Sequence, residues 1–235
     1  MRTLILMAVP LAACSMAVDG AAASGPVSSR DFPISGFTAV DLAGSDSVQV
    51  RVGSAFAVHA EGPEQTLDRL EITRNGDTLK ISHKPSFGFH WGGKGARIVV
   101  TMPAIRSARV TGSGDLSVDH VAADSFTASA SGSGSLNIGA LDVKTGDFSL
   151  AGSGDIRASG RATDLSMSVS GSGDIAARGV QVSHARVSVV GSGDVTATVN
   201  GTANVHIVGS GDVDLGAGAK CTISKLGSGD VTCGG

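Results

Sequence analysis

The stretch LSMSVSGSGDIAA, residues 165–177, contains the pattern that decides the fold. Before its Gly-Ser-Gly-Asp tetrad, apolar residues occupy every second position, at Leu165, Met167 and Val169, and the alternation resumes at Ile175. A period of two is typical of β-strands that bury one face. The stretch therefore predicts two alternating strands that meet at a glycine corner.

The same tetrad recurs through the second half of the chain, with a Gly-Ser-Gly-Ser variant at Gly132 and a weaker echo at Gly44-Ser45-Asp46. Successive tetrads start 18 to 20 residues apart. A repeat of this length buries its apolar face only by stacking on its neighbours. The sequence thus predicts an all-β fold, a parallel β-helix-like β-solenoid with coils of 18–20 residues. The predicted structural corners are Gly112, Gly114, Asp115, Gly152, Gly154, Asp155, Gly171, Gly173, Asp174, Gly191, Gly193, Asp194, Gly209, Gly211, Asp212, Gly227, Gly229 and Asp230.

The tetrads suggest a structural use for each residue type. Glycine adopts the positive φ of a sharp corner without strain, and aspartate can hydrogen-bond the free amides of a turn. Stacked aspartates about 5 Å apart would repel each other, which raises a second interpretation, a divalent cation along the ladder. Calcium-binding repeats are nonapeptides, and carboxylates alone do not complete an oxygen cage. We therefore favour turn capping and predict neither metal nor cofactor.

Residues 31–105 are also rich in alternating segments but lack the regular tetrad. Asn75-Gly76 predicts a hairpin turn, and residues 63–70 could form one or two helical turns. We interpret this part as irregular, larger coils that continue into the regular solenoid of residues 106–235, so that 31–235 form one domain. A separate small β domain that ends near Pro103 is the alternative.

The first 23 residues predict an export signal followed by a short linker. Their apolar stretch, Leu4–Val9, is too short to span a bilayer. Leu-Ala-Ala-Cys, ending at Cys14, resembles a bacterial lipobox and predicts a lipid-anchored protein on the outer membrane or the periplasmic side. Cleavage after Ala21-Ala-Ala instead would discard Cys14 and leave a periplasmic or secreted protein.

Two further cysteines, Cys221 and Cys233, stand six residues before and six residues after Gly227, the first residue of the last tetrad. By the alternation both point inward, from opposite strands of the final coil. A disulfide between them would pin the end of the solenoid, and the exported location favours it. A free buried pair is the alternative.

A glycine-rich segment in the N-terminal part carries the chain's main aromatic cluster. It contains Phe87, Phe89, His90 and Trp91. Such side chains could stack on a sugar ring or grip a partner, or they could fold over the open end of the core. A second candidate surface is the column of Val190, Val208 and Leu226, which are apolar at otherwise polar positions.

Charge and motifs exclude several classes of function. With a net charge of −3 and no run of Lys or Arg, the sequence gives no sign of a basic surface that would bind nucleic acid. No Gly-x-Ser-x-Gly elbow, His-Glu-x-x-His or phosphate loop occurs. The carboxylates repeat with the coil instead of clustering, which is typical of a scaffold. We therefore predict a protein that is not an enzyme, the alternatives being a carbohydrate-active β-helix enzyme and a purely structural envelope spacer.

The export signal, the segment Phe37-Thr-Ala-Val-Asp-Leu and the serial tetrads resemble the bacterial family called putative auto-transporter adhesin, head GIN domain. The resemblance covers about residues 34–225. It implies a β-helix-like protein of the cell envelope or surface whose role is adhesion to glycan or protein partners. It brings no established catalytic or binding residues. An autotransporter needs a membrane β-barrel, and the sequence shows none, so the family name could describe ancestry and not activity.

Overall fold

The computed structural model describes residues 27–84 and 95–234. Their strands join in one sixteen-stranded sheet wound into a β-solenoid of about six turns, which confirms the predicted fold. The elements are β1 (Val27–Asp31), β2 (Ala39–Gly44), β3 (Ser47–Val52), β4 (Ala57–Pro63), α1 (Glu64–Arg69), β5 (Leu70–Asn75), β6 (Thr78–His83), β7 (Arg97–Met102), β8 (Ser107–Gly112), β9 (Asp115–Gly132), β10 (Ser135–Gly152), β11 (Asp155–Gly171), β12 (Asp174–Gly191), β13 (Val195–Gly209), β14 (Val213–Asp214), β15 (Lys220–Gly227) and β16 (Val231–Thr232).

Each regular coil has three sides, as β10 illustrates. Buried and exposed residues alternate along this strand, but the alternation breaks at two pairs of exposed residues, Gly139-Ala140 and Lys144-Thr145. The chain bends at these pairs and at the tetrad. We call the segment after a tetrad the first side, the middle segment the second side, and the segment that leads to the next tetrad the third side.

The coils stack in parallel register, so that equivalent residues form columns inside the solenoid. On the first side, branched aliphatic residues stack on one another. One such column consists of Val48, Leu116, Leu136, Ile156, Ile175, Val195 and Val213.

On the third side, large aromatic residues in one coil stack on small residues in the neighbouring coil. Phe126 stacks on Gly146, while the adjacent column pairs Ala128 with Phe148. Both phenylalanines are fully buried, and a Cβ on Gly146 would lie 2.7 Å from Leu165 Cδ1. The Leu165 side chain of the next coil therefore occupies the space left by Gly146, as close packing requires.

Both glycines of a tetrad lie close to the preceding coil, and the first also has a positive φ. The first has a positive φ, +130° at Gly171, and its carbonyl oxygen accepts hydrogen bonds from the amides of Ser192 and Gly193 in the next coil. The second is needed for close approach, since a Cβ on Gly173 would lie 2.0 Å from the carbonyl oxygen of Gly154. Such a distance is far inside van der Waals contact.

The tetrad aspartates hydrogen-bond along the stack. The Oδ1 atoms of Asp174, Asp194 and Asp212 accept from the backbone amide of the aspartate in the next coil, at 2.8 to 2.9 Å. This contact occupies a turn amide that the ladder would otherwise leave free. Within residues 27–84 and 95–234, no group of three or more His, Cys, Asp or Glu residues is placed to hold a metal.

The N-terminal part shares the sheet of the regular coils but is less regular. Strands β2 and β3 form its coil and pair in parallel with β8 and β9. In contrast to the coils, β4 runs antiparallel to β7, β5 runs antiparallel to β6 across the Asn75-Gly76 turn, and β1 runs antiparallel to β4. His59 in β4 forms hydrogen bonds with Asp31 in β1 and with Glu61. Both raise the pKa of His59, and the bond to Asp31 has the larger effect.

The C-terminal end of the solenoid carries the cysteine pair. The structure joins Cys221 and Cys233 in a disulfide, with their Cα atoms 6.3 Å apart. Ile223 aligns with the buried Val205 yet is 48% exposed, because among the described residues β15 pairs with β13 alone. The next inward position holds Lys225, whose Nζ donates to the carbonyl oxygen of Gly229 at 2.7 Å. A charged side chain at this position discourages another strand from adding to the edge.

No helix in the described part of the chain is long and apolar enough to cross a membrane. The predicted export segment and Cys14 lie outside the described residues.

Candidate functional site

A pocket of about 610 Å³ lies at the N-terminal end of the solenoid. We call it the corner pocket, because the turn between β2 and β3, residues 43–46, forms one wall. Helix α1 contributes Gln65 and Arg69 to a second wall, and Ser82 and His83 at the end of β6 contribute to a third. Thr66 and Gly95 complete the lining.

The turn itself is a modified tetrad. Gly44 pairs with Gly112 and Ser47 pairs with Asp115, so Asp46 occupies the place of the second glycine. Beside this turn, β6 and β7 pair with β2 and β3 and are separated in the sequence by residues 84–96. The weak echo in the sequence therefore marked a true corner, the first of the solenoid.

Both carboxylate oxygens of Asp46 are occupied. The side chain is fully buried, Oδ1 accepts from the amide of Ala96 at 2.8 Å, and Oδ2 lies 2.7 Å from His83 Nε2 in a hydrogen bond. A buried carboxylate is tolerated only when it is bonded in this way. Asp46 therefore fixes the positions of His83 and Ala96 at the corner.

In contrast to the Asp46 carboxylate, the Arg69 guanidinium is not bonded to the described residues. Its Nε atom is buried but has no hydrogen-bond partner, and its guanidinium makes no hydrogen bond or ion pair with any residue in 27–84 or 95–234. Sequence reasoning missed this residue, because Arg69 read only as the last residue of a short helix. The sequence around Arg69 does not indicate that it lines a pocket, since the neighbouring β2–β3 turn lies more than twenty residues earlier in the chain.

The aromatic residues singled out from the sequence, Phe87, Phe89, His90 and Trp91, lie outside the described residues. The chain enters their segment from Lys84 and leaves it at Gly95. Both flanks meet the corner pocket, since His83 and Gly95 line it and the amide of Lys84 donates to the carbonyl oxygen of Arg69 at 2.9 Å. Their role as ligand contacts stays a prediction.

A groove of about 530 Å³ on the second side combines two carboxylates with two cations. Lys144 Nζ lies 2.7 Å from Asp124 Oδ1, and Arg161 Nε donates to Asp142 Oδ1 at 2.8 Å. The hydrogen bond from Lys144 lowers the pKa of Asp124, and that from Arg161 lowers the pKa of Asp142. Because these carboxyl groups ionise readily, neither is suited to act as a general acid.

The predicted corner glycines and aspartates lie along one edge of the solenoid, where their contacts are to the adjacent coils. They do not converge on the corner pocket, which contains only the first, modified corner.

The comparisons with known proteins agree with this architecture. The chain matches the family described as "putative auto-transporter adhesin, head GIN domain" over residues 36–233. A putative adhesin from Bacteroides fragilis has a similar structure, with 20% identity, a TM-score of 0.82, and coverage of 89% of this chain and 98% of its own.

Two proteins of Parabacteroides are similar as well, each covering 89% of this chain. A putative lipid binding protein from Parabacteroides distasonis has 23% identity, a TM-score of 0.70 and 97% of its own chain covered. For a putative adhesin from Parabacteroides merdae these values are 18%, 0.68 and 96%. At such identities the likeness concerns the fold, and a comparison with curated proteins finds no match. Since the family match spans most of the sequence, the chain belongs to the head GIN domain family of putative auto-transporter adhesins.

Proposed function

We propose that this protein is a non-catalytic, adhesin-like component of the cell envelope or surface, and that it binds envelope glycan or protein at the corner pocket. The observation that carries the proposal is the composition of that pocket. It offers polar groups to a ligand, and the described residues contribute one carboxylate to its lining, Asp46, with both oxygens bonded. Glycoside hydrolysis generally needs two carboxyl groups, one of them able to donate a proton. The pocket therefore suits binding better than cleavage.

The family membership and the names of the similar structures support a surface role. The aromatic segment between the lining residues His83 and Gly95 would add contact area, because aromatic rings stack on sugars and dominate many interfaces. If no ligand is found, the alternative role as a purely structural spacer is favoured.

Replacing Phe89 and Trp91 together by Ala should weaken retention on cell-wall polysaccharide or on whole cells by at least about tenfold, the usual effect of losing aromatic anchors. The measurement is co-sedimentation of the purified chain with both materials. The matched control replaces Val190 and Leu226, exposed apolar residues of the regular coils, by Ala. Retention lost in the control but kept in the aromatic variant would move the contact to the outward apolar column. Wild-type protein that binds neither material would leave only the spacer role.

We further propose that the protein is exported and held at the membrane through a lipid on Cys14. Cys14→Ala should move the protein from the membrane fraction to the soluble extracytoplasmic fraction, because no lipid could then be attached. Immunoblots of the two fractions measure this. Unchanged fractionation would contradict lipidation and favour removal of Cys14 with the signal.

A further inference from the structure

The unpartnered guanidinium of Arg69 is an unexplained feature of the corner pocket. Buried donors in folded proteins nearly always have a hydrogen-bond partner, and one without a partner costs free energy. Arg69 Nε is buried without one, although the side chain borders an open cavity of about 610 Å³. The cavity gives a ligand room to pair with the terminal Nη atoms of the same guanidinium, which form no hydrogen bond or ion pair with residues 27–84 or 95–234.

Two of the acidic residues near Arg69 are bonded to other groups. Asp68, its neighbour on α1, pairs with Arg30 Nη2 at 2.9 Å. Asp46 across the pocket bonds to His83 and to the amide of Ala96. No protein carboxylate in the described part of the chain therefore neutralises Arg69, and the partner that fits is an anionic group from outside.

The remaining lining narrows the chemistry of that partner. Gln65 and Ser82 offer neutral hydrogen-bonding groups, and among residues 27–84 and 95–234 no large apolar side chain lines the pocket. Pockets of this size accept small ligands. The planar guanidinium matches a carboxylate, with which it forms two parallel hydrogen bonds.

We infer that the corner pocket binds an acidic saccharide, whose carboxylate pairs with Arg69 and whose hydroxyl groups bond to Gln65 and Ser82. This inference rests on the proposed function, since it names the ligand class for the same site. Arg69 acts as the specificity-determining residue, and a neutral saccharide would leave its charge unpaired.

The test is isothermal titration of the purified chain with three probes: trigalacturonic acid, neutral galactotriose and inorganic phosphate. We expect trigalacturonic acid to bind more tightly than the other two. Arg69→Gln should weaken its binding by about tenfold to a hundredfold, the usual effect of removing a hydrogen bond to a charged group. Arg69→Lys, which keeps the charge but not the paired geometry, should fall between. The control Arg186→Gln removes an equivalent charge from an exposed position on β12 and should change nothing.

The outcomes separate this inference from the proposed function. If both trisaccharides bind alike and Arg69→Gln has no effect, the acidic class is wrong while glycan binding stands. If phosphate binds as tightly as trigalacturonic acid through Arg69, the site is a general oxyanion site and the saccharide assignment is wrong. If neither trisaccharide binds and cell-wall material is not retained, the proposed function itself fails. Thermal unfolding of each variant verifies that the fold is intact.

Discussion

Gly173→Ala is expected to destabilise the solenoid by about 3 kcal/mol or more, because the new methyl group would lie 2.0 Å from the carbonyl oxygen of Gly154. The atom in the way is backbone of the adjacent coil, so it cannot rotate aside. The two coils would have to separate locally and break ladder hydrogen bonds on both sides of the corner. Urea unfolding followed by circular dichroism measures the loss of free energy.

A graded set of glycine variants separates close approach from backbone conformation. Gly76→Ala, at φ +60° with nothing within 4 Å, tests conformation alone and should cost about 1 kcal/mol. Gly171→Ala combines φ +130° with a contact of 2.3 Å and should be the most damaging of the three. If Gly173→Ala cost no more than Gly76→Ala, close stacking at the tetrads would be wrong.

Phe148→Ala should cost about 3 to 5 kcal/mol, since it removes a fully buried ring from the third side. The neighbours of Phe148 in its column are Ala128 and Met167, and the alanine is too small to fill the space. The measurement is again the free energy of unfolding in urea. The control Val190→Ala truncates a side chain that is 49% exposed and should stay within about 0.5 kcal/mol of the wild type.

A cost below about 1 kcal/mol for Phe148→Ala would show that the coils can collapse around the gap. The volume alternation between Phe126 and Gly146 on one column and Ala128 and Phe148 on the next would then be unimportant for stability.

The regular solenoid could be predicted from the sequence because its information is local. A tetrad such as Gly171–Asp174 recurs every 18 to 20 residues, and the alternation beside it directly identifies the inward residues. Parallel stacking then follows from the need to bury those residues. The positive φ of the first glycine follows from its corner position, whereas the role of the second glycine required the distance to the neighbouring coil.

The corner pocket could not be predicted in the same way. Asp46 and His83 are 37 residues apart, and their contact depends on how β2 stacks on β6. The antiparallel strands β1, β4 and β5 break the repeat, so no spacing relates Arg69 to the β2–β3 turn. The pairing of Phe148 with Ala128 likewise became visible only once the register was known. Such contacts between distant segments leave no periodic signal in a single sequence.

The central claim is that the corner pocket is the binding site, and the side-chain Nε–H of Arg69 reports on it directly. In a nitrogen–proton correlation spectrum with arginine labelled at Nε, assigned with Arg69→Lys, titration with trigalacturonic acid should shift the Arg69 resonance progressively. The resonance of Arg186 should stay in place. A saccharide that binds while the Arg69 resonance does not move would contradict the account and locate the site elsewhere on the solenoid.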